Sequence, residues 1–148
     1  MRKAIMMMLF AVLTLGAMAQ SKEQKTDAVF PGGEKAMKAY LQKNLQYPEL
    51  AAQYGVEGSV IMIFTVEKDG SLKDIVATEC KIERFNTSTF GQETEARKKE
   101  LKRQFAKLFA KEGVRVVRKM PKWEPLKKDG EAVSSKCYLP IHFSMPNK

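Results

Sequence analysis

Imidazole chemistry in this 148-residue chain would have to use His142, its single histidine, and thiol chemistry would fall to Cys80 or Cys137. One imidazole and two distant thiols do not make the three- or four-ligand Cys/His cluster that zinc selects. No Ser or Asp stands in a recognisable catalytic pattern with His142, and there is no glycine-rich phosphate loop, nucleophile elbow or set of metal-spaced carboxylates. The sequence therefore implies no enzyme, no metal and no cofactor. The surroundings of His142 suggest binding instead. Val133, Ser135, Cys137, Leu139, Ile141 and Phe143 alternate with Ser134, Lys136, Tyr138, Pro140, His142 and Ser144. Period-two alternation is the pattern of a strand with one apolar face, and its other face presents a cation, a phenol and an imidazole. Pro140 lacks an N–H, so within a strand it is tolerated only where that donor is not needed, at a sheet edge. An edge offers unpaired backbone groups that can receive an extended peptide. The candidate contact residues are Val133, Ser134, Lys136, Tyr138, Pro140, His142 and Ser144.

Other elements must hold that strand. Phe30-Pro31-Gly32-Gly33 is a turn, after which Glu34 opens a helix whose stripe is Met37, Tyr40, Leu41 and Leu45. Tyr47-Pro48 ends it, and a short second turn runs through Leu50, Ala51 and Tyr54 to a stop at Gly55. Gly58 to Val66 is rich in β-formers; Val60, Met62, Phe64 and Val66 share one face, and Ile61 and Ile63 lie on the other, so both faces are expected to be covered. Glu67-Lys68-Asp69-Gly70 turns the chain into a second strand, Leu72 to Glu79. Lys81 to Gln92 is expected to be a loop in which Thr89 and Gln92 have the capping-box spacing.

From Glu93 to Met120 the apolar residues Leu101, Phe105, Leu108, Phe109, Val116, Val117 and Met120 step by three and four, with Gly113 on the same stripe. This predicts an amphipathic helix packed on the sheet. Run continuously it would be about 40 Å long, so a break near Glu112-Gly113 is expected. Pro121-Lys-Trp-Glu-Pro125 stops it, and Lys127-Lys-Asp-Gly130 leads into the last strand.

Charge is unevenly distributed. The whole chain has 26 Lys and Arg against 17 Asp and Glu. Eleven of those cations and four of the acids lie between Glu93 and Lys122, leaving the rest nearly neutral. The segment Arg97–Lys111 is thus a candidate surface for anionic lipid or glycan, the alternative being a solvated helix face. Residues 1–19 combine a basic start, an apolar run and the small-residue exit Ala17-Met-Ala19, the layout of a cleaved signal peptide. The run falls short of the ~20 residues that a spanning helix needs. Export makes nucleic acid an unsuitable partner. Residues 20–29 are polar and expected to be loose, and a single domain would occupy 30–148.

Several stretches together resemble the C-terminal domain of the TonB energy transducers: Tyr47-Pro48-Glu-Leu-Ala51, Gly55-x-x-Gly58 into Val66, and Asp69-Gly70-Ser-Leu-Lys-Asp74. They continue with Val114-Arg-Val-Val-Arg-Lys-Met-Pro-Lys-Trp123-x-Pro125, Gly130-x-x-Val133 and Leu139-Pro-Ile-His-Phe143. The resemblance implies an α+β fold: a three-stranded antiparallel sheet, first strand central, with two helices on one face, the second of them extended and basic by an insertion at about 81–110. It also implies a periplasmic location, with cleavage near Ala19, the alternative being an inner-membrane anchor and a short transducer. The last strand would pair with the TonB box, the N-terminal peptide of a TonB-dependent outer-membrane receptor; edge-to-edge homodimers are a further option. Trp123, Pro121, Gly113, Phe64 and Ile141 would form structural core. With that strand order the two cysteines lie near opposite ends of the sheet, too far apart to bridge, and Cys137 is expected to be buried.

Overall fold

A computed structural model describes residues 25–145; the signal segment inferred from the sequence lies outside the described residues. In chain order the elements are β1 (Lys25–Thr26), α1 (Gly33–Asn44), α2 (Glu49–Gln53), β2 (Glu57–Val66) and β3 (Leu72–Arg84). They continue with α3 (Thr87–Phe90), α4 (Glu95–Arg118), β4 (Leu126–Lys128), β5 (Glu131–Val133) and β6 (Ser135–Phe143).

The main sheet is antiparallel, in the order β3-β2-β6. β2 is central because it is the strand able to bury a full face: Gly58, Val60, Met62, Phe64 and Val66 are all buried beneath the helices. Gly70, at φ +88°, closes the β2–β3 hairpin, and its carbonyl accepts a 2.9 Å bond from the Trp123 amide. Trp123 is buried, edge-on to Phe64 and Phe30 at 5.2 and 6.0 Å. On the same side Phe109 of α4 stacks on Phe143 of β6 at 4.3 Å, and Tyr47 meets both edge-on at 6.1 Å. The fold is thus α+β, a three-stranded antiparallel sheet with its first strand in the middle and helices over one face.

The structure corrects several expectations. β3 runs to Arg84, because the half-buried residues Cys80 and Ile82 continue its alternation. Capping falls to Asn86, whose side chain accepts from the Ser88 amide, and to Thr94, which accepts from the Arg97 amide; Thr89 instead bonds the Asn86 carbonyl. α4 is unbroken through Glu112-Gly113, and its 24 residues span about 36 Å. Glu112 is buried, but its carboxylate accepts from Arg115 at 2.6 and 2.7 Å and from the Gln46 amide at 2.6 Å. Gly113 lies directly over β2, where a Cβ would sit 2.7 Å from Met62 Sδ. Its glycine permits close approach and does not end the helix.

Further corrections concern the ends of the fold. Pro121 is exposed and so is not core, whereas Gly113, Phe64 and Ile141 are buried. Val133 belongs to β5, and the last long strand starts at Ser135. β5 joins β4 and β1 in a second antiparallel sheet, and Val29 bridges to Glu124, so the described part of the segment expected to be loose is paired. Ile61 and Ile63 are only half-buried, with Val76 49% exposed beside them, so the second face of the main sheet is not sealed. Both cysteines are free, and Cys137 is half-buried like Cys80.

Candidate functional site

β6 is an edge: among the described residues its only strand partner is β2. The pairing is regular over nine residue pairs, from Gly58 opposite Phe143 to Val66 opposite Ser135. Leu139, Ile141 and Phe143 are buried against the core, while Ser134, Lys136, Tyr138, Pro140, His142 and Ser144 are exposed, Tyr138 by 64%. The exposed members of β6 line up across β2: Lys136 opposite Thr65, Tyr138 opposite Ile63, Pro140 opposite Ile61 and His142 opposite Ser59. Six of the seven contact residues read from the sequence therefore lie together along β6 and its ends. Val133 lies on β5.

The two edges of the sheet differ. The β2–β3 ladder has three register irregularities, between Glu57 and Gly58, Val60 and Ile61, and Ile63 and Thr65. β3 also holds two non-glycine residues at positive φ, Asp74 at 53° and Glu79 at 40°. Bulges twist an edge out of the geometry a new strand needs. β6 has none, and it is the better template.

Two recesses flank β6 on its helix side. One, of about 550 Å³, adjoins Ser135–Leu139 and is walled by Phe30, Met37, Trp123 and Leu126 among others. The other, of about 410 Å³, lies between Leu41 and Leu45 of the α1 end and His142–Ser144. The sequence did not reveal either, because their walls come from segments far apart in the chain; the turn before α1 is the one local hint.

Chemically the strip offers hydrogen-bonding capacity and no reactive constellation. Burial pushes both thiols up from their ordinary value, so neither is an activated nucleophile. Among the described residues no group of three His, Cys, Asp or Glu could hold a metal. On α4, Arg97, Lys99, Lys107 and Lys111 are exposed, but Lys98 and Arg103 pair with Glu95 and Glu100 at 3.0 and 2.8 Å, and Lys102 lies over Phe85 and Phe90.

Residues 43–91 match the family described as Gram-negative bacterial TonB protein C-terminal. The likeness to that family covers about a third of the chain. The TonB match takes in α2, the β2–β3 hairpin and α3, and β6 lies beyond it. The solution NMR structure of the Helicobacter pylori TonB C-terminal domain is similar at 20% identity and a TM-score of 0.41, over 76% of this chain and 79% of that one. A comparison with curated proteins finds no match. No helix among the described residues is long and apolar enough to cross a membrane.

Proposed function

We propose that this chain is a non-enzymatic, periplasmic binding domain whose β6 edge pairs with an extended peptide, the N-terminal segment of an outer-membrane receptor, in TonB-linked transport. The observation that carries this reading is the regular edge of β6, which has no second strand partner among the described residues, while β3 at the opposite edge is bulged, in a chain whose residues 43–91 match the TonB C-terminal family. Affinity would come from backbone hydrogen bonds, and selectivity from Lys136, Tyr138 and His142. Five such bonds at a net ~1 kcal/mol each amount to roughly 5 kcal/mol, near the millimolar range even before the cost of association. A functional partner therefore has to add side-chain contacts.

The test is a titration of the isotopically labelled chain, residues 20–148, with synthetic receptor N-terminal peptides. Amide resonances of Ser135–Ser144 should move, and those of β3 should not. Stationary β6 amides would refute the reading. Strand pairing should also survive high salt, whereas attraction of an anionic surface to Arg97–Lys111 would fade as the charges are screened.

A further inference from the structure

The recess beside the first half of β6 has features of a built pocket. Ser135, Cys137 and Leu139 line it, and they sit opposite Val66, Phe64 and Met62, on the helix side of the sheet. A strand added to β6 projects every second side chain to that side, so a docked peptide would present one directly to the recess. Three buried side-chain polar atoms among the described residues have no hydrogen-bond partner: Glu67 Oε1, Trp123 Nε1 and Ser135 Oγ. The first lies 3.0 Å from Lys73 Nζ in an ion pair. The remaining two both belong to residues of this recess, where Ser135 Oγ has only the weakly bonding Cys137 thiol beside it. Unpaired buried polar atoms are uncommon and call for a partner. An indole N–H can only donate, whereas a hydroxyl can also accept.

We propose, on the reading of β6 as a peptide-accepting edge, that this recess selects a carboxamide side chain, Gln or Asn, at one alternate position of the docked peptide. Both polar atoms are closed to solvent in the free chain, so the docked side chain has to part the recess walls to reach them. Its carbonyl would then accept from Trp123 Nε1–H and its amide donate to Ser135 Oγ, while Phe30 and Met37 would cover its methylenes. A carboxylate of the same shape is disfavoured, since Asp27 and Glu34 line the same recess and an apolar wall penalises a buried charge. An aliphatic side chain would fill the space and leave both polar atoms unpaired.

The experiment uses capped ten-residue peptides of alternating Thr and Val, with one central Val replaced by Gln, Leu or Glu. Trp123 is the single tryptophan of the chain, so its indole N–H gives one resonance to follow beside the β6 amides. The Gln peptide should move both and bind at least fivefold tighter than the Leu peptide and tenfold tighter than the Glu peptide. Ser135→Ala should roughly halve that preference, and Ala28→Leu, which fills the recess from its half-buried rim, should abolish it with the β6 amide shifts retained. β6 amides that move while the indole stays still, or equal affinity for the three peptides, would overturn the pocket and leave strand pairing standing. If neither set moves, both readings fall.

Discussion

The ion pair that keeps α4 continuous invites a double-mutant cycle. Arg115 donates to both carboxylate oxygens of Glu112 and also to the Asn44 carbonyl at 2.8 Å, while Glu112 accepts from the Gln46 amide. The pair therefore fastens the C-terminal end of α1 to the last two turns of α4. The Glu112 side chain is 9% exposed and that of Arg115 31%, which sets the magnitude between two limits. Breaking a fully buried pair costs about 3–5 kcal/mol, and an exposed one contributes ~0–1 kcal/mol. Arg115→Ala, which leaves the carboxylate buried with only the Gln46 amide, should cost about 2 kcal/mol. Glu112→Ala should cost about 3 kcal/mol, since the Gln46 amide is orphaned too. The double variant should lose little more than Glu112→Ala alone, a coupling of about 1.5–2 kcal/mol. Urea unfolding followed by circular dichroism, with unchanged m-values, measures each corner of the cycle. Costs that add to within about 0.5 kcal/mol would show that the two residues act independently, and the account of the unbroken helix would fail.

Three further outcomes are expected. Gly58→Ala would drive a Cβ into the Lys81 carbonyl oxygen of the neighbouring strand, so the β2–β3 register must give and urea unfolding should show a loss of about 2 kcal/mol. Burial, helped by the charge of Glu57, pushes the Tyr47 phenol up to about 12; the folded state then keeps its proton where the unfolded chain, titrating near 10, has lost it. Stability should accordingly be whole below pH ~10 and fall as the pH rises towards 12, and Tyr47→Phe should flatten that fall in the urea midpoint. Cys80 and Cys137 pair with Val60 and Phe64, four residues apart on β2, which places them about 16 Å apart across three strands. A thiol titration under denaturant should count two, with slow reaction in the folded protein.

The sequence made the hairpin and the edge legible because each rests on a local signal. Alternation from Val60 to Val66, the Asp69-Gly70 turn and the proline at position 140 need no knowledge of distant residues. Glu112 misled because its partners are not all local: Arg115 is one turn away, but the Gln46 amide that completes its shell is 66 residues distant. Helix length argued for a break near Glu112-Gly113, and length takes no account of so distant a partner. Strands of two or three residues such as β1, β4 and β5 have no period to detect, so the second sheet was invisible. The choice of Asn86 and Thr94 over Thr89 as caps turned on where β3 stopped, which its own alternation disclosed only weakly. The recess beside Ser135 joins the start of α1, the Trp123 segment and β6, and no spacing rule connects those three.

The inequality of the two sheet margins also bears on self-association. A molecule with one serviceable flank can meet a copy of itself only face to face through that flank, and the union uses up the capacity of both. Continued growth of the main sheet, which needs a second sticky side, is opposed by the puckered opposite margin. Any such twinning would occupy the surface assigned to the peptide, so crowding the protein would lower its apparent appetite for ligand, and dilution would restore it.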